Sequence, residues 1–145
     1  MMMEANLFKK ILQANDGSGT AFRALSLAID LAEQNQSELH MVCVEELPNL
    51  PEFVADVRDA KEAADRRFSD VLLRASAAAQ ERKLQLRAHV LIGHPVRDIV
   101  ELAKELQADL LVIGAVGHSE LYERFIGSRA DRIMQLAHCP VLVVK

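Results

Sequence analysis

Short apolar runs alternate along this chain with longer stretches in which apolar residues recur every three or four positions, and that alternation fixes the order of elements. Lys9 to Ala14 reads as a short strand that runs into Asn15-Asp16-Gly17-Ser18-Gly19, a cluster of turn and helix-cap residues. From Thr20 to about Asn35, Phe22, Leu25, Ile29 and Ala32 recur at helical spacing. Leu39-His40-Met41-Val42-Cys43-Val44 reads as a buried strand, bounded by Glu45-Glu46 and the proline-containing stretch Leu47 to Pro51. Pro51 suits a first helical turn, and a long helix of about thirty residues, rich in Ala, Arg, Glu and Leu, is expected to follow it.

The second half repeats the alternation. Leu84, Leu86, Ala88, Val90 and Ile92 alternate with mostly polar neighbours, as in a strand with one exposed face at a sheet edge. Gly93-His94-Pro95 opens a helix carrying Val96, Ile99, Val100, Ala103 and Leu106, and Asp109 to Ile113 forms a nearly all-apolar fourth strand. Ser128 to Ala137 supports a last helix, and Pro140 to Val144 a fifth strand. Strands alternating with helices predict an α/β fold, a doubly wound parallel sheet covered on both faces, with ligands bound beyond the carboxyl ends of the strands.

Composition narrows the class. With 145 residues, half of them hydrophobic, residues 1–145 are expected to form a single domain with a sizeable core. A net charge of -4 offers no positive field for nucleic acid. The first residues lack the pattern of a secretory signal, and the apolar runs are strand-length, so a cytoplasmic protein with no membrane span is expected. Cys43 and Cys139 read as reduced, structural thiols. The five histidines show no metal-ligand spacing, and His118, alone in a polar loop, reads as solvated. Asp56, Arg58, Asp59, Lys61, Glu62, Asp65, Arg66 and Arg67 read as a solvated, mixed-sign helix face.

The candidate chemistry lies in two turns. After the fourth strand, Gly114-Ala115-Val116-Gly117 is followed at a spacing of G-x2-G-x9-G-S by Gly127 and Ser128. Gly114 and Gly117 would let backbone amides approach a polyphosphate, while Gly127-Ser128 presents N–H groups and a hydroxyl at a helix N-terminus. The same glycines are also compatible with a plain turn. Asp16, in the first turn, suits an N-cap as well as a ligand contact. Neither a Walker-type phosphate loop nor a dinucleotide fingerprint is present.

These motifs fall together in one order: Lys10-Ile11-Leu12 leading to Asp16-Gly17-Ser18, Leu39 to Val44 with acidic residues after it, Gly93-His94-Pro95, Ala108 to Gly114, the glycine motif, and Cys139 to Val144. In that order the chain resembles the universal stress protein family, of the ATP-binding kind that carries the glycine motif intact. The resemblance implies a five-stranded sheet in the order 3-2-1-4-5. It places Asp16 at the ribose hydroxyls, Ala14 and the backbone of Cys43 around adenine, and backbone groups of Gly114, Gly117, Gly127, Ser128 and Arg129 around ribose and phosphates. The Ser128 hydroxyl is an added donor. Proline is frequent where Ala14 stands, and a small or apolar residue where Arg129 stands, so the Arg129 side chain either pairs with a phosphate or extends into water.

The resemblance also implies a homodimer through the C-terminal strand and a role in stress adaptation. Mg2+ would arrive on the nucleotide phosphates, with no protein ligand assigned. The motif has no lysine for phosphoryl transfer, so ATP-dependent regulation is the expected function and no catalytic residue is assigned. A slow ATPase or self-phosphorylating protein, with Ser128 as acceptor, and a nucleotide-independent interaction module are the alternatives.

Overall fold

The computed structural model describes residues 7–46, 57–116 and 126–145. Its elements are β1 (Lys10–Ala14), α1 (Gly19–Asn35), β2 (Glu38–Glu46), α2 (Val57–Arg67), α3 (Ser69–Glu81), β3 (Leu86–Gly93), α4 (Pro95–Leu106), β4 (Leu110–Gly114), α5 (Ser128–Leu136) and β5 (Val141–Val144). The strands form one sheet in the order β3-β2-β1-β4-β5, with every pair parallel. The alternating pattern of the third strand does place it at an edge.

Successive side chains of a strand point to opposite faces, and the two apolar layers follow that rule. Ile11, Leu39, Met41, Cys43 and Val112 pack with α1 and α3 on one face. Leu12, Val42, Leu111 and Ile113 pack with Val96, Ile99 and Ile133 of α4 and α5 on the other. Helices therefore cover both faces, as doubly wound sheets require.

Local chemistry sets the helix ends. Ser18 is the N-cap of α1, its Oγ accepting from the Ala21 N–H at 3.2 Å, and Gln36 ends the helix in the left-handed region with φ 54°. The capping role open to Asp16 from sequence thus belongs to Ser18. Pro95 occupies the first position of α4 after His94, whose N–H donates to Asp98 Oδ2 at 2.9 Å. A Cβ on Gly93 would lie 2.0 Å from that same oxygen and displace it, and the backbone there has φ 157°, a conformation that favours glycine.

Two expectations are corrected. The single long helix is two, α2 and α3, interrupted at Phe68 with φ -96° and ψ 6°. Backbone bonds still bridge the interruption, from Phe68 N to Ala64 O at 3.1 Å and Leu72 N to Phe68 O at 2.9 Å. The buried stripe Ala60, Ala64, Phe68, Val71, Ala75 and Ala79 keeps its period across it. The proposed start at Pro51 and the residue Asp56 lie outside the described residues. Strand β2 does not stop before Glu45-Glu46 but runs through both, because β3 supplies partners in register, Glu45 with Ile92 and Glu46 with Gly93.

The mixed-sign run forms exposed i,i+4 pairs, Arg58 with Glu62 at 3.5 Å and Lys61 with Asp65 at 3.0 Å, worth little stability each. Arg67 departs from that pattern and reaches Glu45 on β2.

The histidines are less scattered than the sequence suggests. His40 on β2 is buried, with Nδ1 2.8 Å from His89 Nε2 on β3 and Nε2 2.7 Å from Glu38 Oε1. Arg87 Nη1 lies 3.3 Å from the same carboxylate oxygen. Burial, and then the neighbouring His40, lower the His89 pKa from its ordinary 6.5. The unfolded chain therefore takes up this proton first as pH falls through 6.5, so stability present above that pH is lost below it. The melting temperature is expected to fall between pH 7.5 and 5.5, with the slope reduced in His89→Gln; an unchanged slope in that variant places the pH dependence elsewhere.

Candidate functional site

Strand order reverses at β1, which has β2 on one side and β4 on the other, and a cavity of about 560 Å³ opens there at the carboxyl ends of the strands. That volume lies within the range of small-molecule sites. Ala14, Val42, Val44 and Ile113 line it from the sheet, and Ile99 and Ile133 from the covering helices. Its polar side carries Asp16, Ser18, Gly127, Ser128, Arg129, Glu46 and Arg67. One part is thus apolar and suited to a flat ring; the other presents charges and a helix N-terminus.

The first turn is held by its own side chains. Asn15 Oδ1 accepts from Gly17 N at 2.8 Å, and Asp16 Oδ1 accepts from Ser18 N at 2.9 Å. Gly17 has φ 86°, a conformation that favours glycine. Below this turn the buried Gln13 donates through Nε2 to Ala14 O at 2.7 Å and Ala21 O at 3.0 Å, tying β1 to α1.

The second turn is tied to the first. Thr20 Oγ1 donates to Val116 O and lies 3.3 Å from Ser18 Oγ. A Cβ on Gly114 would meet Thr20 Oγ1 at 3.1 Å and the Thr20 backbone carbon at 3.2 Å. Gly114 thus lets α1 pack closely against β4, and any larger residue there needs Thr20 to give way. Ala115 N donates to Val144 O at 2.8 Å, and Gly127 N to Ala115 O at 2.7 Å. The Gly127 N–H is thus engaged within the protein, which corrects its reading as a free donor. Gly127 is the N-cap of α5 and has no side chain with which to accept from the first-turn amides beyond it.

Of the residues singled out from sequence, Ala14, Asp16, Gly114, Gly127, Ser128 and Arg129 line this one cavity. Gly117 and His118 lie outside the described residues. Strand alternation turns the Cys43 side chain into the α1 and α3 layer and brings those of its neighbours Val42 and Val44 to the cavity, so the contact expected of Cys43 concerns its backbone alone. Burial, with a smaller contribution from the Asp16 charge, pushes the Cys43 thiol up to about 12, so it stays protonated and inert at neutral pH.

Sequence reasoning missed two pairs at the rim. Arg67 Nε lies 2.9 Å from Glu45 Oε2, and Arg129 Nη2 bonds Glu46 Oε1. Glu45 is buried, which raises its carboxyl pKa, and the Arg67 charge acts in the opposite direction. The available signal was a pair of acidic residues following an apolar strand. Among the described residues, no group of three or more His, Cys, Asp or Glu is arranged to hold a metal, and no helix is long and apolar enough to cross a membrane.

This arrangement defines a doubly wound α/β protein with a cavity at its switch point. The profile of the universal stress protein family matches residues 7–145, and the chain belongs to that family. A universal stress protein of Methanocaldococcus jannaschii is 32% identical over 142 residues, spanning 97% of this chain and 84% of its own. A universal stress protein structure from Lactobacillus plantarum has a TM-score of 0.81 at 23% identity, covering 94% of this chain and 97% of its own. Another, from Archaeoglobus fulgidus in complex with dAMP, has a TM-score of 0.66 at 25% identity, covering 96% and 99%.

Proposed function

We propose that this chain binds an adenine nucleotide, with ATP as the physiological ligand, and acts as a nucleotide-dependent regulatory homodimer in stress adaptation. The observation that carries the reading is a single cavity in which apolar strand residues lie beside the first turn of α5. The base would lie against Ala14, Val42 and Val44, the ribose would meet the Asp16 carboxylate, and the phosphates would meet the first-turn amides of α5 and the Ser128 hydroxyl. The Archaeoglobus fulgidus relative, which holds dAMP, supports the choice of base.

Mg2+ would be carried by the phosphates and keep most of its water, with no protein carboxylate assigned to it. Among the described residues no lysine lines the cavity and its two arginines are each paired with a glutamate, which favours holding and orienting a nucleotide over phosphoryl transfer. Occupancy would act by stabilising one state of the protein over another. The dimer would form through β5, an apolar strand at the sheet edge opposite β3.

Nucleotide released on denaturing fresh protein, identified by chromatography, together with calorimetric titration of ATP and Mg2+, tests this reading. Saturable one-site binding is the expected result. No carried nucleotide and no heat with ATP, ADP or AMP would overturn it in favour of a nucleotide-independent interaction module, whereas steady phosphate release would favour the slow ATPase.

A further inference from the structure

We propose that Glu46 is an internal competitor for the anion-binding end of the cavity, holding Arg129 until a phosphorylated ligand displaces it. This rests on the nucleotide reading above and adds a regulating contact to it.

Four observations support it. Arg129 stands at the second position of α5, immediately after Ser128, so its own backbone belongs to the first turn, whose amides favour an anion. Glu46 ends β2 on another element, yet its carboxylate reaches Arg129 and both residues line the cavity. That carboxylate offers Arg129 the acceptor geometry that a phosphate would offer, in the same cavity and in the same charge-assisted bond. Glu46 is only partly covered and Arg129 more than half exposed, so exchanging one acceptor for another breaks no buried pair.

The neighbouring pair provides the contrast. Glu45 is 3% exposed and closes on Arg67 from inside the fold, a contact that ties α2 to β2. Of the two acidic residues ending β2, one is structural and the other faces the ligand space.

The competition has a chemical signature: it acts on the charge of a ligand and not on its base. Glu46→Gln keeps the size of the side chain while removing the anion, so it frees Arg129 and removes repulsion of the phosphates together. ATP affinity is expected to rise about fivefold in this variant, while adenosine affinity stays the same. Arg129→Gln is expected to weaken ATP binding and flatten its salt dependence, and to shrink the gain from Glu46→Gln when the two are combined.

Calorimetry with ATP, AMP and adenosine at two salt concentrations, on the wild type, both single variants and the double variant, reads all of these. An ATP affinity that is unchanged or reduced in Glu46→Gln overturns the competitor role, as does an equal gain for adenosine, which would mean that Glu46 shapes the base pocket. An undiminished gain in the Arg129→Gln background also overturns it. If neither wild type nor Glu46→Gln binds any adenine ligand, the nucleotide reading falls and this inference with it; binding without the Glu46 effect removes the inference alone.

Discussion

Gly114→Val is expected to destabilise the protein by about 3 kcal/mol, because the added side chain enters space already filled by Thr20. For a chain of this length that corresponds to a fall in melting temperature of roughly 10 °C. Relief could come only from movement of α1 away from β4 or a shift of the loop, and either strains the bond from Thr20 Oγ1 to Val116 O. The loop and the first turn would separate, so nucleotide binding is expected to fall in parallel. Thr20→Gly removes the two side-chain atoms from the collision but leaves the backbone carbon at 3.2 Å. The double variant should therefore recover part of the loss and depart from additivity. Thermal melts of the four proteins check this; equal effects of Gly114→Val with and without Thr20 would show that the packing contact is not the cause.

Asp16→Ala is expected to weaken ATP binding by about 10- to 100-fold, the loss of one or two charge-assisted hydrogen bonds to the ribose hydroxyls. The same substitution removes the acceptor of the Ser18 N–H, so stability should fall as well. Asp16→Asn separates the two roles: its amide oxygen can still accept from Ser18, while the charge facing the ribose is gone. Melting temperature is expected to recover in Asn and affinity only in part. Calorimetry with ATP and with 2′-deoxy-ATP completes the test, since the deoxy ligand should be less sensitive to Asp16→Ala. Equal losses for both nucleotides would move Asp16 away from the 2′-hydroxyl.

The order of elements and the covering of both sheet faces were legible because apolar runs and amphipathic stretches alternate, whereas the strand order 3-2-1-4-5 came from the family resemblance. The interruption at Phe68 was not: neither glycine nor proline marks it, and the buried stripe keeps its spacing through it. The choice of strand face was legible in principle. Alternation along β2 already separates the Cys43 side chain from those of Val42 and Val44, and applying it would have added these two as side-chain contacts beside the Cys43 backbone. Gly114 shows a different limit. A glycine in a loop announces that no side chain fits, but only the position of Thr20, nearly a hundred residues earlier, says what fills the space. Glu46 and Arg129 are likewise 83 residues apart, and nothing in either neighbourhood predicts their meeting.

The closing of the second turn bears on when the cavity can first exist during folding. Ala115 N donates to Val144 O, and Gly127 N donates in turn to Ala115 O. Until β5 is in place the chain lacks the acceptor that fixes Ala115. The last part of the cavity wall would thus be completed late in folding, once β5 has joined the edge of the sheet beside β4.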